Sequence, residues 1–185
     1  MKWNPYTVIE LNKSLAGLPG WFLDGGYSLE LILGKSSREH GDIDIGTYSR
    51  DAKSLLSSIS ALGYQIYIAN KGNLDPYQET EFSELNNNYW VSDGESFRFQ
   101  LLVYKLKGGK VYFRRNQEVC WPEADFLIEK NNMKVVNPLI TYAFKVTTST
   151  VEEKDLIDIS LLLKWVAETA KQLQPVDVTQ TTQLP

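Results

Sequence analysis

The chain has 185 residues, of which 43% are hydrophobic and 23% are charged, and its formal net charge is −4. These values are ordinary for one compact domain, and the acidic balance argues against a long nucleic acid or an anionic membrane surface as a partner. The single cysteine, Cys120, excludes an intramolecular disulfide, and no apolar run has the length of a signal peptide core or a membrane span. We therefore expect a cytoplasmic protein.

The first half of the chain alternates between helical and strand patterns. Apolar spacing predicts a helix over residues 7–18, and residues 20–26 read as a short buried strand that ends in a glycine turn. A second helix over 27–34 is closed by glycine, and strict alternation over 41–48 indicates a strand. A clear apolar helix face follows over 52–62.

The second half begins with strands and ends with helices. Residues 64–70 are expected to form a strand followed by a polar loop through residue 88, and 89–93, 96–105 and 110–115 read as successive strands. Residues 124–130 fit either a helix or a strand. Two helices are predicted over 138–148 and 152–173.

This order of elements predicts an α+β (α/β) fold, a mixed sheet flanked by helices with a helical C-terminal segment. We divide the chain into a core over 1–135, C-terminal helices over 136–174 that pack on the core, and a flexible tail over 175–185.

Two aspartates, Asp42 and Asp44, lie two residues apart on a predicted strand, so both side chains leave the same face. Two carboxylates held this close raise one pKa or hold a cation between them, and oxygen ligands of this kind suit Mg²⁺. Taken alone, an Asp-x-Asp pair is more often a strand-end turn or a surface pair.

Gly25 and Gly26 end the preceding strand and open a helix that carries Ser28 in its first turn. Backbone N–H groups at such a turn can hold phosphate, although for the glycine pair taken alone a tight turn that needs glycine is the favoured explanation. A phosphate cradle 16 residues before a metal-type acid pair favours the functional interpretation.

The segment from Trp21 to Asp44 resembles the polymerase-β-like nucleotidyltransferase superfamily and, more narrowly, antibiotic nucleotidyltransferases of the aminoglycoside 2″-adenylyltransferase and lincosamide type. The residues that carry the resemblance are Trp21, Gly25, Gly26, Gly34, Arg38, Glu39, His40, Asp42, Ile43 and Asp44. Tyr27, Glu30 and Lys35 depart from the family pattern. A looser similarity to a family Lys-Asp-x-x-Asp helix start covers Lys154, Asp155 and Asp158.

The resemblance implies transfer of a nucleoside monophosphate from a nucleoside triphosphate, with ATP as the expected nucleotide, to a hydroxyl of a small molecule such as an antibiotic. It implies that Gly25, Gly26 and Ser28 hold the triphosphate. Asp42 and Asp44 would bind Mg²⁺ or Mn²⁺. The further nucleotide-site candidates are Arg38, His40 and Lys154, although the histidine could equally be bound to backbone and the lysine could be a solvated helix end.

The resemblance also implies a third carboxylate on a neighbouring strand, and the sequence does not supply one. In the strand over 96–105, Arg98 takes the acid's place in the best alignment, and Gln100 is the next candidate on the same face. An arginine there could form a salt bridge with the aspartates and leave a folded, inactive site. Alternatively, Asp93 or Glu95 could act as the base, or the acceptor could be activated by its own chemistry.

Two functions therefore stay open. The first is the nucleotidyltransferase, for which the acids of residues 75–84 (Asp75, Glu79, Glu81 and Glu84) could line a cleft for a cationic acceptor. The second is a catalytically degenerate domain that binds a nucleotide or a protein partner. The sequence gives no oligomeric state.

Overall fold

The computed structural model describes residues 1–36, 38–70, 72–83 and 86–172. Its helices are α1 (Val8–Ser14), α2 (Gly25–Leu33), α3 (Ser49–Ala61), α4 (Glu123–Phe126), α5 (Pro138–Val146) and α6 (Glu153–Gln172). Its strands are β1 (Lys2–Trp3), β2 (Trp21–Asp24), β3 (Asp44–Tyr48), β4 (Gln65–Asn70), β5 (Asn73–Pro76), β6 (Asn88–Ser92), β7 (Ser96–Tyr104), β8 (Leu106–Lys107), β9 (Lys110–Tyr112), β10 (Cys120–Pro122), β11 (Leu127–Lys130) and β12 (Met133–Val136). Over these residues, no helix combines the length and apolarity needed to cross a bilayer.

Most strands of the described chain join one mixed sheet, in the order β11-β12-β2-β3-β7-β6-β4-β5, with β1 beside β7. Strand β3 runs antiparallel to β2 and parallel to β7, so it lies near the centre of the sheet. Strands β8, β9 and β10 form a second, small sheet. This architecture is the predicted mixed sheet flanked by helices, with α5 and α6 as the C-terminal helical segment.

The pleat of the central strands separates two apolar cores. On one face, Ile43, Ile45 and Leu101 pack with the apolar sides of α1 and α3, as the alternation of residues 41–48 predicts. On the other face, aromatic rings such as Phe22 and Tyr104 pack with α4 and α5. Side chains of the second face therefore point toward the C-terminal helices.

Two parts of the fold differ from the prediction. Asn73–Pro76, expected in a polar loop, form β5, an exposed edge strand that pairs with β4 through its backbone and has no apolar alternation. Residues 124–130, which fit either a helix or a strand in the sequence, belong to both, because helix α4 is followed at once by strand β11. The hairpin from β11 to β12 turns at Asn131 and Asn132, whose φ angles are 51° and 60°. Asparagine tolerates this left-handed conformation better than most residues.

Helices α5 and α6 pack against each other and against α2. Helix α2, which begins at the glycine turn, is therefore in direct contact with the C-terminal helices. The predicted tail over 175–185 lies outside the described residues, and the division into a core and a C-terminal segment stays a prediction.

Candidate active site at the ends of β2, β3 and β7

Asp44, the first residue of β3, lies directly opposite Asp24 of β2 and beside Gln100 of β7. Paired positions of neighbouring strands place their side chains on one face of a sheet, so these three polar groups share the second face. They line a cavity of about 240 Å³. The other walls of this cavity include Gly25, Tyr104, Arg114, Thr141, Lys145 and Asp155.

The pKa of Asp44 is raised to about 8, first by burial and then by the negative charges of Asp42 and Asp24. Lys145 and Arg114 oppose this rise. Asp42 itself is exposed, just before the start of β3. A carboxyl group in this environment holds a proton at neutral pH unless a cation offsets its charge, so the position suits a cation.

The donor atoms around Asp44 fit Mg²⁺ or Mn²⁺ held jointly by protein and substrate. Carboxylate oxygens are the ligands these ions prefer. The described residues hold no cluster of three or more His, Cys, Asp or Glu arranged to hold a metal. Mg²⁺ commonly takes one or two carboxylates and completes its shell with water and substrate phosphates, so Asp42 and Asp44 are a sufficient protein contribution.

Asp24 is a site residue that the sequence-based interpretation missed. Its Oδ1 accepts a hydrogen bond from the Gly25 N–H at 2.7 Å, and its Oδ2 accepts one from the Tyr104 hydroxyl. Burial raises the pKa of Asp24, while both hydrogen bonds lower it. The sequence feature that could have identified Asp24 is its place at the N-cap position of α2, where aspartate is favoured.

The glycine turn is built around the Asp44 carboxylate. Gly25 has a φ of 64°, and a Cβ atom added to it would lie 2.3 Å from Asp44 Oδ2. A Cβ atom on Gly26 would lie 2.4 Å from His40 Cε1 and 2.7 Å from Arg38 Nη2. Both glycines are therefore required by close approach of side chains, and Gly25 is required by its backbone conformation as well.

Gly25→Ala is expected to lower the unfolding free energy by more than Gly34→Ala, its matched control at the other end of α2. Gly34 has a φ of 68° and nothing within 4 Å of its Cβ position, so it tests backbone strain alone. That strain costs about 1–2 kcal/mol, and the overlap with Asp44 adds about 1–3 kcal/mol. Urea denaturation of the two variants measures the difference, and equal losses would show that the contact with Asp44 is unimportant.

The predicted nucleotide-binding side chains of Ser28, Arg38, His40 and Lys154 do not line the cavity. Ser28 is fully buried, and its hydroxyl donates to the Gly25 carbonyl at 2.8 Å, so it stabilises the turn from inside. His40 Nε2 lies 3.0 Å from Glu30 Oε1, and its ring stacks on Tyr27 with centroids 4.2 Å apart. Tyr27 and Glu30, two departures from the family pattern, thus both contact the histidine.

Arg38 is committed to the C-terminal helix rather than free for phosphate. Its Nε and Nη2 donate to the two oxygens of Asp158 at 3.2 and 3.1 Å. Asp158 is fully buried in α6, and its Oδ2 also forms an ion pair with Lys145 Nζ at 2.9 Å. Lys145 pairs with Asp155 as well. This network ties the loop before β3 to α5 and α6.

Lys145 lines the cavity, whereas Lys154 does not. Lys154 is half exposed and pairs with Glu152 at 2.9 Å, although the charge of Asp42 also acts on it. The cation that faces the candidate site from the C-terminal helices is therefore Lys145. Its signal in the sequence was weak, because it is a single lysine near the end of the apolar helix α5.

The placement of Arg98 in the third-acid position was wrong. The register of β3 on β7 sets Gln100 beside Asp44, and Arg98 lies two residues further, past the start of β3. Arg98 instead pairs with Asp93 and donates to the Asn4 carbonyl at 2.9 Å. Asp93 is thereby bound to Arg98 and does not approach the site as a base. The second candidate, Gln100, occupies the position.

Of the acids proposed for a cationic acceptor, Asp75 and Glu79 do not line the cavity. Asp75 lies on β5, the edge strand, and Glu79 accepts a hydrogen bond from Ser57 of α3. Three strands, β7, β6 and β4, separate β5 from β3. Glu84 and the side chain of Glu81 lie outside the described part of the chain.

A family model and a relative from another organism match parts of the chain. The chain matches the family model described as Aminoglycoside-2''-adenylyltransferase over residues 8–102. A lincosamide resistance protein from Staphylococcus haemolyticus is 33% identical over 48 residues, which is 26% of this chain and 30% of that protein. That alignment therefore spans less than a third of the relative.

Two solved structures share the fold. The lincomycin-bound lincosamide antibiotic adenylyltransferase LnuA has a TM-score of 0.60 at 21% identity, covering 86% of this chain and 98% of its own. ANT(2")-Ia in complex with adenylyl-2"-tobramycin has a TM-score of 0.58 at 13% identity, covering 89% and 92%. Both support the fold alone, and the family match extends over half of the chain. The predicted family and fold are confirmed: the chain belongs to the aminoglycoside-2''-adenylyltransferase family and has a nucleotidyltransferase fold.

Proposed function

We propose that the protein transfers a nucleoside monophosphate from a nucleoside triphosphate to a hydroxyl of a small molecule, with Mg²⁺ or Mn²⁺ as cofactor. The observation that carries the proposal is the contact between Gly25 and Asp44 at a cavity that Lys145 also lines. A backbone turn, a partly buried carboxylate and a cation in one cavity are the elements that positioning of phosphates requires. We infer that the nucleotide is ATP and that the protein acts in the cytoplasm.

Each part of the site has a distinct task in this proposal. The Gly25-Gly26 turn would hold the triphosphate, and Asp42 and Asp44 would hold the metal ion. When bound, the ion offsets phosphate charge and polarises the phosphoryl oxygens. Lys145 contributes further positive charge from α5. Arg38 and His40 act indirectly, because they pack against Gly26 and so support the turn. Ser28 also supports the turn, through its buried hydrogen bond to the Gly25 carbonyl.

The test is calorimetry of wild-type protein with each of the four nucleoside triphosphates, with and without Mg²⁺, followed by pyrophosphate release with candidate acceptors. Lincomycin and tobramycin, named with the related structures, are the reference acceptors. We expect nucleotide binding that requires Mg²⁺. The proposal fails if no nucleotide binds in a Mg²⁺-dependent manner.

A second candidate function, a degenerate domain that binds nucleotide without turnover, has one specific observation in its favour. Gln100 stands where the family resemblance implies a carboxylate, and its Nε2 donates to Asn88 Oδ1 at 2.6 Å. An amide cannot take up the proton of an acceptor hydroxyl. Binding of Mg²⁺-nucleotide without pyrophosphate release, across all acceptors, would favour this second function.

Gln100→Asp is expected to increase Mg²⁺ affinity by about tenfold or more, because it adds a third carboxylate beside Asp44. Calorimetric titration with Mg²⁺ in the presence of a non-hydrolysable triphosphate measures the change. Arg98→Gln is the matched control on the same strand, and it should leave the affinity unchanged because Arg98 faces Asp93. A gain in the control, or none in Gln100→Asp, would contradict the register described above.

A further inference from the structure

One wall of the cavity presents amides and a guanidinium where a base would stand. We propose that the acceptor is an anionic hydroxyl compound, whose phosphate or carboxylate group binds Arg114 beside Gln100 and Asn88. This inference rests on the proposed nucleotidyl transfer and names the chemical class of its acceptor. It differs from the cationic acceptor that the sequence suggested.

Arg114 belongs to the same wall as the Gln100–Asn88 pair. Its Nη2 donates to the backbone carbonyl of Asn87 at 3.0 Å and to the side-chain oxygen of Asn87 at 3.2 Å. Asn87 is the neighbour of Asn88, which accepts the hydrogen bond from Gln100. The guanidinium also lies over the Tyr104 ring, 5.7 Å from its centroid. These contacts hold Arg114 in the lining of the cavity that Asp44 also lines.

Arg114 keeps unused capacity for an anion. Its Nε is buried and has no hydrogen-bond partner among the described residues, and no carboxylate of that part of the chain forms an ion pair with it. The buried hydroxyl of Thr141, which is 3% exposed and lines the same cavity, has no partner there either. A buried donor without a partner is costly, and a ligand oxygen would satisfy both groups.

The carboxylates of the cavity are not available to hold a cationic acceptor. Asp24 accepts from Gly25 and Tyr104, and Asp155 accepts from Lys145 and from the backbone of Glu152. Asp44 lies in the proposed metal position. Among the described residues that line the cavity, Arg114 has no ion-pair partner, whereas the carboxylates are either hydrogen-bonded or lie in the proposed metal position. This arrangement favours an acceptor of negative charge.

The same wall determines where the proton goes. The acceptor oxygen forms a bond to the α-phosphorus, the bond from that phosphorus to the β-phosphate oxygen breaks, and pyrophosphate leaves with the electron pair. The hydroxyl proton passes to an oxygen of the acceptor's own anionic group, because Gln100 stands in place of the expected carboxylate. An anionic group on the acceptor therefore serves both binding and proton transfer.

The experiment compares matched acceptors with Mg²⁺-ATP in a pyrophosphate-release assay: glycerol 3-phosphate against glycerol, and lactate against lactamide, with tobramycin as the cationic reference. We expect the anionic member of at least one pair to exceed its neutral match by tenfold or more in kcat/KM. The two pairs distinguish a phosphate from a carboxylate. A preference for the neutral members or for tobramycin overturns the inference.

Variants at Arg114 separate acceptor binding from nucleotide binding. Arg114→Gln should raise the KM of the preferred anionic acceptor by about tenfold or more, the equivalent of one lost charged hydrogen bond, and leave the Kd of Mg²⁺-ATP within about twofold. Arg114→Lys should retain part of the acceptor affinity. Arg50→Gln, an exposed arginine outside the cavity, is the control.

If Arg114→Gln weakens Mg²⁺-ATP binding and not acceptor binding, Arg114 contacts the triphosphate and the inference is wrong, while the proposed function stands. If wild-type protein fails to bind Mg²⁺-ATP at all, the proposed function itself fails. The two failures are therefore distinguishable, because the first is read from the Arg114→Gln variant in calorimetry and in the acceptor KM, and the second from calorimetry of wild-type protein.

Discussion

Asp44→Asn is expected to lower kcat by at least about a thousandfold. The substitution keeps the shape of the side chain but removes the charge that the proposed metal ion requires, and such an ion contributes several kcal/mol to the transition state. Pyrophosphate release under saturating Mg²⁺-ATP measures the loss. Asp75→Asn, an exposed aspartate on the edge strand β5, is the matched control and should retain full activity.

The same variant should change the dependence of stability on pH. The folded-state pKa of Asp44 is raised to about 8, whereas an unfolded aspartate titrates at about 3.9. Between these values the folded state binds more protons than the unfolded state, so the free energy of unfolding falls as pH rises. Asp44→Asn removes this contribution and should therefore be more stable than wild type near pH 8 in the absence of metal.

Urea denaturation at about pH 5 and about pH 8 measures this effect, and the gap between variant and wild type should widen at the higher pH. Adding Mg²⁺ and nucleotide should stabilise wild type and not the variant. An identical pH response of the two proteins would show that the pKa of Asp44 is not raised in the folded state.

Asp158→Asn is expected to lower the unfolding free energy by about 3 kcal/mol, because it leaves the guanidinium of Arg38 and the ammonium of Lys145 with less compensation in a buried position. Glu152→Gln is the matched control, since it breaks the exposed pair with Lys154 and should cost less than about 1 kcal/mol.

Both losses are read from urea denaturation midpoints at a common pH. Similar losses in Asp158→Asn and Glu152→Gln would mean that the buried network contributes no more than a surface pair. A loss confined to Asp158→Asn would show that α6 is held to the loop before β3 by this one carboxylate.

The part of the site that the sequence predicted is the part that local patterns specify. Gly25, Gly26, Asp42 and Asp44 lie on a turn and a strand whose period is visible over a few residues. The family match confirms the fold that they indicated. The roles of these residues in nucleotide and metal binding stay predictions.

The register of distant strands could not be obtained in this way. Arg98 and Gln100 alternate onto the same face of β7, so the period of the strand cannot distinguish them. Only the pairing of β7 with β3, which sets Gln100 beside Asp44, decides which of the two meets the aspartates. An error of two residues along one strand therefore changed the residue assigned to the third-acid position.

The contacts of buried polar residues far along the chain were not predicted, for a related reason. Asp158 contacts Arg38, which is 120 residues away, and Tyr104 contacts Asp24, which is 80 residues away. No local pattern links such pairs. The edge strand β5 was missed because its pairing uses backbone groups and leaves no apolar alternation.

The cavity is assembled from two stretches of chain that differ in their relation to the family. Asp24, Gly25 and Asp44 lie within the matched residues 8–102, whereas Arg114 and Thr141 lie beyond them. Asn88 and Gln100, which share the proposed acceptor wall with Arg114, lie within the matched residues. Under the proposed function, we expect homologues that take other acceptors to differ from this chain at Arg114 or Thr141 more often than at Gly25 or Asp44.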